Sequence, residues 1–155
     1  MMRWERGRAT VDGLIATGRL TNVAANRELA EAYLVQAKQH VTSADAIATA
    51  DPPGAFQLVY DAARKALAAI LVNQGLRPRG HGAHTVLLEV VVAQLEPPRQ
   101  EVFREFDWMR RTRNDTEYPE ADKPIANNDD VRDALPVVRE MIVRAEALIP
   151  NMPPY

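Results

Sequence analysis

The chain has 155 residues, enough for one domain around a single sizeable core. Apolar residues make up 46% and charged residues 26%, with no long polar tract, which excludes an intrinsically disordered chain. The absence of cysteine removes disulfides, thiolate nucleophiles and thiolate zinc sites together. A net charge of -2 argues against a generic polyanion binder while leaving room for a local basic patch.

Residues 1–8 carry charge without an apolar run behind them, so they do not read as a signal peptide. No stretch approaches the ~20 apolar residues of a membrane span. A cytoplasmic location is the simplest expectation. Residues 10–18 suggest a short helix capped by Thr10 and ended by Gly18, with Leu14 and Ile15 as its anchor. Trp4, ahead of it, is expected to pack on the domain or on a partner.

From Asn26, an N-cap residue with Glu28 in the first turn, apolar residues recur at helical spacing through Ile47 and Ala48. The many alanines on this helix imply close approach by a neighbour. Asp51-Pro52-Pro53-Gly54 ends the first long helix and starts a second, which carries Phe56, Tyr60, Ala63, Leu67 and Ile70 and stops at Gly75. Asp61 and Lys65 form an i, i+4 pair expected on its outer side. The short connection makes the two helices an antiparallel hairpin, and His40 falls on a surface or groove of the first.

Residues 76–84 form a loop rich in glycine and cations, with Arg77, Arg79, His81 and His84. The valine-rich run 86–95 reads as a short buried helix, because a strand there has no pairing partner elsewhere in the chain. Glu89 within it needs a hydrogen-bond partner if buried. Pro97-Pro98 restarts a helix bearing Arg99, Arg104, Arg110, Arg111 and Arg113 among Glu101, Glu105 and Asp107. After a polar loop, a last helix of about 129–149 contains Pro136, so it is either kinked there or regular only from Asp133. The tally is an all-α, up-and-down bundle of four to five main helices. It divides as 1–25, an N-terminal segment with a short helix, 26–149, the bundle, and 150–155, a tail.

The stretch with most chemical character is Trp108-Met109-Arg110-Arg111-Thr112-Arg113-Asn114-Asp115-Thr116-Glu117-Tyr118-Pro119. The apolar phase of Phe103, Phe106 and Met109 continues into Arg113, so Arg113 is expected to face a groove or interface. Arg113-Asn114, followed at the right spacing by Tyr118, resembles the motif of HEPN domains, whose signature is an arginine, often a polar residue, then a histidine after four to six residues. The resemblance covers about residues 26–149. Here Tyr118 stands where the histidine belongs, and no histidine follows His84.

What the resemblance implies is a homodimeric, RNA-associated protein of a toxin–antitoxin or phage-defence system, with a cognate toxin or antitoxin as partner. Arg113, Asn114 and Tyr118 would be the catalytic set of a metal-independent ribonuclease variant, needing no cofactor. Tyrosine, with an ordinary pKa near ~10, is a poor base at pH 7 unless cations such as Arg110 and Arg111 depress it. A binding role without cleavage is a further reading. So is a helical interaction module in which Arg113 pairs with Asp115, Glu117 or a distant acid, and Asn114 caps the helix.

The loop histidines read most simply as an exposed His81 and a His84 that caps the following helix; two histidines three apart are a weak metal signal. Arg77, Arg79 and His81 could instead rim a cleft beside Arg113 and add phosphate contacts. A histidine from the loop of a partner protomer set against Tyr118 would restore the missing base. Trp108, placed by periodicity on the face opposite Phe103 and Phe106, is a candidate dimer contact.

Overall fold

The computed structural model describes residues 5–155, so Trp4 lies outside the described residues. Helix α1 spans Arg8–Ala16, strand β1 Leu20–Asn22, α2 Arg27–Ile47, α3 Pro52–Gln74 and strand β2 Leu76–Pro78. They are followed by α4 at Ala83–Gln94, α5 at Glu101–Arg104, α6 at Phe106–Glu117, α7 at Asn128–Leu148 and a 3-10 turn at Ile149–Asn151. The protein is an all-α helical bundle with one minimal sheet. No helix among the described residues is long and apolar enough to cross a membrane.

The long hairpin forms for the reasons its sequence contains. The Asn26 side chain accepts from the Leu29 amide at 2.9 Å to start α2, and Asp51 accepts from the Gly54 amide at 3.1 Å to start α3. Ala30, Ala37 and Ala44 are fully buried on α2, and α3, the helix it packs on most extensively, buries Ala55, Ala62, Ala66 and Ala69 among others. Small side chains on both partners allow the close approach the sequence predicts. Helix α3 is the axis of the molecule: α2 and α7 cover one part of it, α4 and α6 another. It is buried nearly all round, as expected of a core helix.

Several elements differ from the sequence reading. The strands β1 and β2 pair antiparallel, with Leu20 opposite Pro78, Thr21 opposite Arg77 and Asn22 opposite Leu76. Three-residue strands are too short to show a period of two, and their pairing joins segments more than fifty residues apart. Gly75 makes this pairing possible. It ends α3 at φ 79°, and a Cβ there would lie 2.5 Å from the Val23 carbonyl oxygen. Helix α1 starts at Gly7 rather than at Thr10. Gly7 has φ 78°, and its lack of a side chain lets α1 approach the Ala93 carbonyl at the end of α4.

Val11 and Leu14 are buried in the common core, so the N-terminal segment is part of one packed body. Residues 152–155 are likewise no loose tail. Met152 is buried, the Tyr155 amide donates to the Gln74 carbonyl, and the Tyr155 hydroxyl donates to Asp12 at 2.5 Å. The predicted helix after Pro98 is two helices with a break at Glu105. Pro136 lies within a continuous α7, started by a reciprocal capping box between Asn127 and Asp130. Glu89 faces outward and pairs with Arg19 at 3.9 Å, so it carries no burial cost.

Candidate functional site

Phe106 and Met109 seat α6 on the core, both with no exposed surface. Arg113, one turn beyond Met109, is brought against α3 by that phase. Its Nε donates to Gln57 Oε1 at 3.3 Å, its Nη1 donates to Asn114 Oδ1 at 3.3 Å, and its guanidinium carbon lies 5.5 Å from the centre of the Tyr60 ring. Among the described residues no carboxylate forms an ion pair with Arg113. Gln57 intervenes, donating its own amide to Glu117 Oε2 at 2.7 Å. The neighbouring acids are engaged elsewhere: Asp115 pairs with Lys123 at 3.9 Å, and Asp107 pairs with Arg110 and Arg111 at 3.2 Å each.

Tyr60 is the hinge of the site. It is 3% exposed and stacked on Phe106 with ring centres 5.2 Å apart and planes 15° from parallel. Its hydroxyl lies 2.5 Å from His84 Nδ1. Burial pushes the Tyr60 phenol up to about 12, against the opposing pull of Arg113, Arg110 and Arg64. Tyr60 is therefore a neutral phenol at pH 7, and its hydrogen bond with His84 Nδ1 takes its direction from the imidazole tautomer. When the phenol donates, the His84 proton resides on Nε2; burial, with Arg64 and Arg113 nearby, holds the imidazole below its ordinary value of 6.5. His84 does not cap α4 as the sequence suggested; Gly82 occupies the cap position, and the imidazole turns to α3 instead.

His84 also lines a cleft of about 450 Å³ between β2, α4 and the α2–α3 hairpin, together with Arg64, Arg77 and Tyr33. Arg64 is held by Asp61 Oδ1 at 2.6 and 2.9 Å. Arg77 is exposed, with no ion pair among the described residues. Arg79 and His81 stand on the exposed loop beyond this lining. Among the described residues no three His, Asp or Glu side chains converge as potential metal ligands.

Tyr118 closes α6 through its backbone amide, which donates to the Asn114 carbonyl at 2.9 Å, while its side chain is 70% exposed. It is not part of the Arg113–Tyr60–His84 cluster. Trp108 is half-buried, tilted against Phe56 at 6.1 Å, and its Nε1 donates to Glu105 at 2.6 Å. The face expected to be polar at Trp108 is in fact a core edge, closed by Phe56 from α3.

Asp61 and Lys65 were expected to point outward. They face α2 instead, where Lys65 Nζ contacts Asp61 at 3.0 Å and His40 Nε2 at 2.7 Å. Burial raises Asp61, but hydrogen bonds from Arg64 and Lys65 outweigh it and leave the carboxyl lowered. Burial and Lys65 lower His40. For both His40 and His84 the folded value lies below the unfolded one. Their contribution to stability is complete above about 6.5 and is lost as pH falls through the lowered values. The melting temperature is accordingly expected to drop between pH 7 and 5, and a His40→Gln/His84→Gln protein to show a shallower drop.

The sequence reading missed Gln57, Tyr60 and Arg64. A signal was present, for Gln57, Tyr60/Asp61 and Arg64 form a polar line at helical spacing along an otherwise apolar helix.

Residues 29–148 match the family model described as HEPN domain. No curated protein and no solved structure shows a significant match to the chain.

Proposed function

The chain belongs to the HEPN-domain family, and from that premise we propose that it is an RNA-associated protein of a toxin–antitoxin or phage-defence type system, engaging the RNA backbone through Arg113. The setting of Arg113 carries this reading. Two neutral amides and an aromatic face orient the guanidinium, and among the described residues no carboxylate pairs with it. A planar fork held in this way suits a phosphate oxygen pair. Asn114 adds an amide beside it, and Arg110 and Arg111 flank it while sharing one acid, Asp107. Arg77, Arg79 and His81 extend the basic rim towards the loop.

Fluorescence anisotropy with single-stranded RNA across a salt series tests this. The expected result is an affinity that falls steeply and linearly in log–log form between about 50 and 200 mM salt. Salt-independent binding, or none, would reject a phosphate-reading surface.

A second reading, metal-independent endoribonuclease activity, is favoured by the approach of His84 to the motif. Within one chain both approach Tyr60: the His84 and Tyr60 ring centres are 5.7 Å apart, and the Arg113 guanidinium carbon is 5.5 Å from the Tyr60 ring centre. With Nδ1 accepting from Tyr60, Nε2–H is a donor to phosphate, and base action at Nε2 requires the proton to leave first. Binding without cleavage is therefore the primary proposal. Cleavage of cellular RNA in chelator by the wild type, lost in Arg113→Ala/Tyr118→Phe or in His84→Ala, would establish the second reading. The assembly proposed for either is a homodimer with a cognate toxin or antitoxin as partner, and the remaining exposed edge of Trp108 is its proposed dimer contact.

A further inference from the structure

The cleft beside His84 has a chemistry that phosphate binding at Arg113 does not use. Its floor is aliphatic, made by the buried Leu71, Leu76 and Leu87. At its lip Leu29 and Val23 keep 41% and 39% of their surfaces exposed, and Tyr33 lies one turn of α2 beyond Leu29. Exposed apolar side chains gathered at the mouth of a cleft are a mark of a binding site. Arg64, Arg77, Asn26 and the His84 imidazole supply the polar groups, and among the described residues the lining contains no carboxylate. About 450 Å³ falls within the ~300–1,000 Å³ of small-ligand clefts. An apolar slot edged by one phenol ring and two guanidinium groups suits a flat apolar body joined to an anion. It does not suit a cation or a bare sugar.

We propose that this cleft seats one unpaired nucleobase and its phosphate, the base lying against Tyr33 and Leu29 and the phosphate facing Arg77 and His84. The proposal rests on the RNA-associated reading, because His84 is the wall that the cleft shares with the Arg113 cluster. It makes that surface selective for single strands: Arg113 holds backbone, and the cleft tests whether a base is free to enter. Stacking on an aromatic ring is tolerant of base identity, so a modest preference among bases is expected rather than a strict code.

The experiment compares a fluorescent RNA decamer with the same decamer carrying an abasic nucleotide at each position in turn, using wild type, Tyr33→Ala and Leu29→Ser. Neither residue is fully buried, and circular dichroism melting verifies the folds. Wild type is expected to lose roughly tenfold in affinity at one abasic position. The two variants should bind intact and abasic strands alike, with the wild-type salt slope, since no phosphate contact has changed. If wild type binds abasic strands as tightly as intact ones while Arg113→Ala weakens both, the base pocket is overturned and the phosphate reading stands. If no strand binds at all, the phosphate reading fails, and free adenosine, guanosine and uridine monophosphates decide the pocket. Binding by wild type that Tyr33→Ala abolishes would support it as a site for free nucleotides, and no binding would overturn it.

Discussion

Replacing Phe106 with alanine is expected to destabilise the protein by about 3–5 kcal/mol, the range for removing a fully buried aromatic ring from a packed core. Phe106 has no exposed surface, and it is the residue on which Tyr60 stacks. The loss therefore has two parts. Unfolding in urea should show a lowered midpoint with an unchanged slope, because the area exposed on unfolding is nearly the same. In the fraction that remains folded, Tyr60 loses the face that fixes its ring, and with it the support for His84 on one side and Arg113 on the other. Tyr60→Phe is the control. It keeps the ring and the stack but removes the hydroxyl bonded to His84 Nδ1, costing about 1 kcal/mol for the lost hydrogen bond. If Phe106→Ala proved no more costly than Tyr60→Phe, the stack would not be what holds α6 to α3.

The difference between these two substitutions reflects how the site is built. Its groups come from three helices: Arg113 and Asn114 from α6, Gln57, Tyr60 and Arg64 from α3, and His84 from α4. The helices themselves were legible in the sequence. Asn26, Asp51 and Gly75 act locally as caps and stops, and the apolar phase of each long helix is a local property as well. Non-local contacts were not legible. The β1–β2 pairing, the docking of Tyr155 on Asp12 and the turn of His84 towards Tyr60 all join residues distant in sequence, and no local pattern encodes them. The inward pointing of Arg113 was predictable because it follows from the phase of Phe106 and Met109. What it would meet was not, because its partners Gln57 and Tyr60 lie on a helix whose polar line is nearly hidden among alanines.

Electrostatics gives this arrangement its character. Four cationic groups belong to α6 and the cleft, Arg110 and Arg113 on the helix and Arg64 and Arg77 in the cleft lining, and they are not equally neutralised. Arg64 is clamped by Asp61, and Arg110 shares Asp107 with Arg111. Arg113 and Arg77 have no such acid among the described residues. On a protein with a net charge of -2, these two guanidinium groups are local positive charge without a general attraction to polyanions, and the proposed RNA contact draws on them.

Arg113→Ala is the substitution expected to affect RNA association most. Removing one phosphate contact should weaken affinity about tenfold for every strand tested and reduce the salt slope by roughly one. The fold should scarcely notice. Arg113 is only partly buried, its two side-chain hydrogen bonds go to neutral amides, and its contact over the Tyr60 ring is worth about 0.5–1 kcal/mol at most exposed sites. Its replacement also relieves a cation near His84, so the imidazole should titrate at a higher pH by NMR. Arg113→Lys separates charge from shape: a lysine restores the salt slope but not the planar fork, and affinity should recover only in part. A protein that melts several degrees lower with unchanged RNA binding would instead make Arg113 a structural residue. Loss of affinity with an intact melting curve, partly recovered by lysine, is the outcome that assigns it to phosphate.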